Sequence, residues 1–526
     1  MAPTELKQSL EMLSAKKHFK YRCLLSLYLI ALSANVIGQS QKIDILYGGN
    51  FKKDEAQFPG ASIFTKDVNG QVQFRHQGAD MWCDQAFLYA DENRIYAEGN
   101  IYLEQGDTLK LWSNSISYNG NSRLLKAMGK VRMLKDTTSL QSDTLYFNRE
   151  DQMAYYNTGG KIIDSKNILT SRFGTYFIDE KKYQFDQKVH IDNPEYTLDS
   201  DKLTYYTDSK YAYLNGPSTI VGEDYQFYCE KGFYNTELQK GYGNKNTEIH
   251  YSDRIINGDS VYFENATSFA SATNNIQVLD TINQSIIRSN YAEVWKAIDS
   301  VFATKRAVAI NVLQNDSLYI HGDTLFVTGT KENRVLKSYR NSRFFKTGMS
   351  GICDTIKYIQ TEDVTELIGD PVVWNGESQL TGDKMWILSD PETQKLDSLI
   401  VESNAFVVSK DTINNLGFNQ AKGADLGGKF VDNALNQIKL HKNTELIYYM
   451  YDENQELLGV NKTICSEIEL QLENGDIRDI IFRVNPDGTI YPIEQFPEEM
   501  KKLEGFIWRE DERIYTLDDL IIDSKN

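Results

Sequence analysis

The sequence predicts an all-β protein assembled from stacked repeats, and three observations carry that expectation. A seven-residue phrase recurs at a fixed pitch: SDTLYFN at 142–148, SRFGTYF at 171–177 and SDKLTYY at 200–206, each starting 29 residues after the last. A repeat of this period marks an architecture in which each unit buries its apolar face only against its neighbours. Composition favours strands, with 32 tyrosines, 24 phenylalanines and only 9 prolines. Length excludes one ordinary core, because 526 residues exceed what a single hydrophobic core supports.

The columns of the repeat justify its elements. With Asp143 as reference, equivalent positions fall at Asp84, Asn114, Arg172, Asp201, Glu230, Asp259, Asn290, Asp323, Asp354, Asp383 and, more weakly, Asp425. That gives about twelve repeats of about 29 residues. The residue just before this column is always Gly, Ala, Ser or Cys, from Cys83 to Ala424, which marks a crowded corner where backbones approach closely. Two and four residues after it stand apolar and aromatic side chains, so a strand begins there and buries that face. About 15 residues on comes a glycine, at Gly99, Gly129, Gly159, Gly216 and Gly369, which reads as a turn between short alternating strands. The acids of the column read as Asx turns capping strands rather than as a calcium ladder, since Asn and Arg interrupt them.

The N-terminus reads as an export signal. Lys16, Lys17, Lys20 and Arg22 precede the apolar run LLSLYLIALSA at 24–34, and small residues follow, with cleavage expected before Gln39. The run is shorter than the roughly 20 residues of a membrane span. Met12 is an alternative start. The formal net charge of −18 argues against a nucleic-acid binder.

The pattern small-Asp-x-apolar-x-aromatic, followed by A-x-G-N-apolar-x-apolar, is clearest in AEGNIYL at 97–103 and AMGKVRM at 127–133. It resembles the OstA/LptA-like family of periplasmic lipopolysaccharide-transport proteins, convincingly over roughly 45–265 and in degenerate form to about 410. The resemblance implies a long, twisted, open β-jelly roll (a β-taco) whose apolar groove holds acyl chains and whose open ends join neighbours edge to edge. The implied organisation is a signal peptide at 1–38, OstA-like repeats at 39–265, a more degenerate stretch at 266–445 and a C-terminal cap at 446–526. The stretch 266–289, rich in Ser, Thr and Asn, is where a break between two stacks is expected.

By the same resemblance, the groove candidates are Ile116, Tyr118, Leu145, Phe147, Tyr176, Leu203, Tyr205, Tyr234, Val261 and Phe263. The implied function is a non-enzymatic bridge that shields the lipid A acyl chains of lipopolysaccharide, exported to the periplasm and peripheral to the membrane rather than spanning it. Partners would be other envelope transport proteins, joined by edge-strand pairing. An acidic wall would turn the lipid phosphates outward or require bridging divalent cations. Two competing readings remain: an envelope scaffold with the same stack and no lipid, or a β-solenoid enzyme acting on polysaccharide through paired carboxylates.

Other motifs point to no chemistry. The histidines after the signal, His76, His190, His250, His321 and His441, show no metal-ligand spacing, and no nucleophile or nucleotide fingerprint is present. No catalytic residue, metal or cofactor is therefore expected. Cys83, Cys229 and Cys353 share the small column several repeats apart, beyond disulfide reach, so buried free thiols are expected. Past about 445 the period is lost. There, 465–497 reads as a hairpin with an Asn-Gly turn, 498–506 as a short helix, and the polar WREDER at 508–513 as the end of the fold.

Overall fold

The computed structural model describes residues 42–521, apart from residues 252, 314, 315, 331, 474 and 475. The export signal read at 1–38, with Met12 as its alternative start, lies outside the described residues. The protein is all-β, as its repeat predicts: among the described residues, forty strands pair antiparallel into a repetitive jelly roll. Two compact units divide it, one ending at Asn193 and the other beginning at Pro194.

The N-terminal unit is a pair of facing sheets built from strands bent in the middle. In Arg94–Gln105, residues 94–98 pair with Gln85–Tyr89 in the first sheet, whereas residues 102–105 pair with Ala79–Cys83 in the second. Leu109–Asn119, Leu124–Lys135 and Thr138–Asn148 bend likewise, each with a register shift at the bend. One repeat is therefore two bent strands, the first running from one sheet into the other and the second returning. The expected glycine turn is instead the kink inside a continuous strand. Gly99 and Gly129 adopt φ of 81° and 77°, and a Cβ there would meet Asp84 and Asn114 at 2.8 and 2.7 Å. Such a bulge turns the strand while keeping its apolar side chains inward on both arms.

The small column is the other bend. Its hydroxyls and thiol donate to the carbonyl two residues on: Ser113 to Ser115 at 3.2 Å, Ser171 to Phe173 at 2.9 Å and Cys353 to Thr355 at 3.2 Å. A bulky side chain would have no such partner and no room. The acidic column also acts differently from the expected Asx turns. Its carboxylates reach sideways to the neighbouring kink, where Asn100 donates to Asp84 at 2.7 Å, Asn275 to Asp259 at 3.0 Å and Asn404 to Asp383 at 3.0 Å. Those asparagines have φ between 42° and 54°, a conformation their short polar side chain tolerates.

The C-terminal unit repeats this plan from Tyr196–Tyr206 onward. The stretch 266–289 is no gap in it: Phe269–Asp280 pairs on both flanks, and Asn274 and Asn275 form its kink. The plan also outlasts the point where the period fades. Leu457–Glu473 bends after Cys465, whose thiol donates to the Glu467 carbonyl at 3.2 Å, and pairs with both Asp476–Arg483 and Asp487–Tyr491. Cys83, Cys229, Cys353 and Cys465 are buried free thiols, and burial pushes the first three up to about 12.

Beyond Tyr491 the chain forms a strap. The helix expected at 498–506 is only a 3-10 turn, Glu498–Met500, because the backbone beyond it is engaged by two buried glutamines. Gln420 donates to the Lys501 carbonyl at 2.8 Å and accepts from the Leu503 N–H at 2.9 Å. Gln379 does the same to Ile507 and Arg509, at 2.7 and 2.8 Å. WREDER thus continues the fold instead of ending it. Phe496 and Leu503 pack on Phe406, Val408 and Tyr449, while Ile514 and Leu520 pack on Val308 and Trp374. The strap covers the outer apolar face of one sheet. Gln379→Ala with Gln420→Ala leaves four backbone groups unpaired at roughly 1–3 kcal/mol each. Limited proteolysis should then cleave within 496–513 at protease levels that spare the parent chain.

Candidate functional site

The two sheets of the N-terminal unit enclose an apolar groove on the side away from the bends, with about 840 Å³ of empty space open to solvent. Strand alternation builds it: inward residues of both arms line it, including Phe74, Met81, Leu103, Leu111, Ile116 and Leu125. Four of the candidates named above line it as well, Ile116, Tyr118, Phe147 and Tyr176. Leu145 is fully buried beneath it.

The basic side chains lining the groove are Arg75, His76, Lys135 and Arg149, and no carboxylate lines it among the described residues. In a chain of net charge −18 this reverses the expectation of an acidic wall. The physical reason is placement: the acids occupy the bends and outer faces, such as Asp84 at its kink and Glu104 beside Tyr102. Arg75 is fixed by a two-point contact with Asp80 at 2.6 and 2.7 Å, which holds that carboxyl below its usual range. The Lys135 ammonium sits 5.3 Å over the Tyr176 ring.

Arg149 bridges the two sheets at the open side. From the first sheet it donates to the carbonyls of His76 and Gln77 in the second, at 3.3 and 3.1 Å. His76 Nδ1 and the Tyr118 hydroxyl lie 2.8 Å apart across the same opening, and burial raises the Tyr118 phenol above its ordinary value. Sequence reasoning missed these basic residues. Only the two-residue offset of Arg149 from Phe147 hints that it points inward.

The remaining candidates sit in the C-terminal unit, where the interior around them is packed. Leu203, Tyr234, Val261 and Phe263 are almost wholly buried, and Tyr205 is half-buried. Tyr234 stacks near Phe263 at 6.2 Å and meets Tyr196 edge-on at 5.2 Å, while Phe263 contacts Phe227 at 4.8 Å. The open side of this unit is also latched between its sheets. Gln239 reaches Glu195, Lys296 pairs with Asp224, and Asn311 donates to the Tyr358 hydroxyl at 3.0 Å.

Among the described residues, no group of three or more His, Cys, Asp or Glu is arranged to hold a metal ion, and no helix is long and apolar enough to cross a membrane. No curated protein matches the chain. Residues 41–201, the stretch that contains the groove, match the family model of the OstA-like protein, in agreement with the resemblance drawn from the repeat motif.

Proposed function

We propose that the N-terminal unit carries the acyl portion of an anionic envelope lipid, lipopolysaccharide in the light of the OstA-like match, between its two sheets. One observation carries the reading: an open apolar groove lined by basic side chains and no carboxylate, in an otherwise acidic chain. Ten buried methylenes would contribute about 8 kcal/mol at roughly 0.8 kcal/mol each. Lys135 and Arg149 would then meet the anionic head at the mouth, so no bridging cation is required.

The reading places the protein in the periplasm as a non-enzymatic carrier, peripheral to the membrane. Its N-terminal edge supports a partner joined by strand addition. Among the described residues, Asp44–Tyr47 and Asn50–Lys53 each pair with one neighbour, and Ile45, Leu46 and Phe51 are exposed. The packed, latched interior around Tyr234 favours a scaffold role for that part of the C-terminal unit.

A photo-activated residue placed at Tyr118 or Tyr176 in living cells should yield adducts that react with antibody to lipopolysaccharide. The exposed turn residue Asn121 should yield none. Equal labelling at all three positions, or none at any, would sink the carrier reading.

A further inference from the structure

We propose that the C-terminal unit holds a second, separate ligand pocket, and that it takes a neutral single-chain amphiphile, an acyl chain ending in a hydroxyl or ester head. This inference does not rest on the carrier reading, because the pocket lies in another unit and beyond the OstA-like match.

The pocket holds about 630 Å³ of empty space, part of it open to solvent, between the two sheets of its unit. Its depth is aliphatic. Ile287, Ala309 and Ile320 come from one sheet, and Val301, Val327 and Leu336 from the other. Room in that depth comes from Ala309. It lines the pocket between Ile287 on one neighbouring strand and Ile320 on the other. A Val or Ile at that position would narrow the space.

The rim is polar and almost dry. Arg334, with a side chain only 5% exposed, contacts Asp253 and Asp280 at 3.2 Å each and Asp299 at 2.5 Å. Arg254 joins Asp299 at 2.6 Å. Three carboxylates thus face two guanidiniums, and this surplus of negative charge disfavours an anionic head. The lining also offers Asn311 and Tyr358, hydrogen-bonded to each other at 3.0 Å, with Tyr358 donating to Asp363 at 3.0 Å. The Arg334 Nε–H is buried with no hydrogen-bond partner, an unusual state for a charged donor. A rim with donors and acceptors but net negative charge suits a neutral head that both gives and accepts a hydrogen bond. The aliphatic depth between Ala309 and Leu336 suits a single acyl chain.

The test uses the full-length protein and a neutral apolar dye, N-phenylnaphthylamine, displaced in turn by monolauroylglycerol and by laurate. The expected result is one dye site cleared by the neutral lipid at a concentration at least tenfold below that needed for laurate. Ala309→Phe should abolish that site and leave any laurate-cleared site untouched. Leu336→Trp, filling from the opposite wall, is the second variant if Ala309→Phe does not fold. Unchanged dye binding in a folded filling variant overturns the pocket. Equal competition by laurate at the affected site overturns the assignment of its head. Loss of laurate binding at the N-terminal groove alone would count against the carrier reading and leave this pocket standing.

Discussion

Tyr234→Ala is expected to destabilise the C-terminal unit by about 3–5 kcal/mol, the range for deleting a large buried aromatic side chain, whereas Tyr176→Ala should cost under about 1 kcal/mol. Both residues occupy the same column of the repeat, four positions after its small-acid corner. Tyr234 is fully buried among Tyr196, Tyr225 and Phe263, and its hydroxyl lies 3.1 Å from that of Tyr225. Its removal leaves a cavity and an unpaired hydroxyl. Tyr176 stands half-buried in the groove wall, stacked on Tyr183 at 4.3 Å. Its removal widens a space that already exists. Chemical denaturation of the two variants, followed by circular dichroism, separates them. Equal destabilisation would mean that the groove is as tightly packed as the aromatic cluster, and the carrier reading would lose its structural basis.

The second large effect concerns charge. Lys135→Glu combined with Arg149→Gln should weaken binding of an anionic amphiphile by roughly tenfold to a hundredfold, since one charge pair at about 4 Å is worth about 1 kcal/mol in water and about 4 kcal/mol near a protein surface. Glutamine keeps an amide donor for the carbonyls of His76 and Gln77, so the bridge between the sheets retains a partner. Binding of a neutral amphiphile of equal length should change little. Affinity of the parent protein for the anionic lipid should also fall with added salt, as screening predicts. Titration calorimetry with laurate and dodecanol at two salt concentrations tests this. Parallel losses for both lipids would point to damage of the groove rather than to recognition of its head.

Much of this protein was legible in its sequence because a stack of identical layers writes its rules into every repeat. The small column at Cys83, Ser113 and Ser171 announced the bends, and the alternation after it announced the buried face. Even so, Gly99 was misread as a turn. A local signal for φ > 0 is the same whether the chain reverses or merely kinks, and only pairing across the neighbouring strands distinguishes them. The continuation at Cys465 was missed for a related reason: its step from Asp425 is too long for the period, although its thiol makes the same bond as that of Cys353.

The sequence by itself determined the all-β class, the repeat, the corner chemistry and the inward column, because these follow from side-chain size and alternation within one layer. Only the tertiary structure decided which inward residues face empty space and which are packed. Phe147 and Phe263 are the same residue in the same column, yet one lines an open groove and the other sits in an aromatic cluster. It also decided the basic lining of that groove, the latches of the C-terminal unit and the strap held by Gln379 and Gln420. The physical reason is that these features depend on the distance between two sheets and on contacts between residues as many as 130 positions apart, which no pattern within a single repeat encodes.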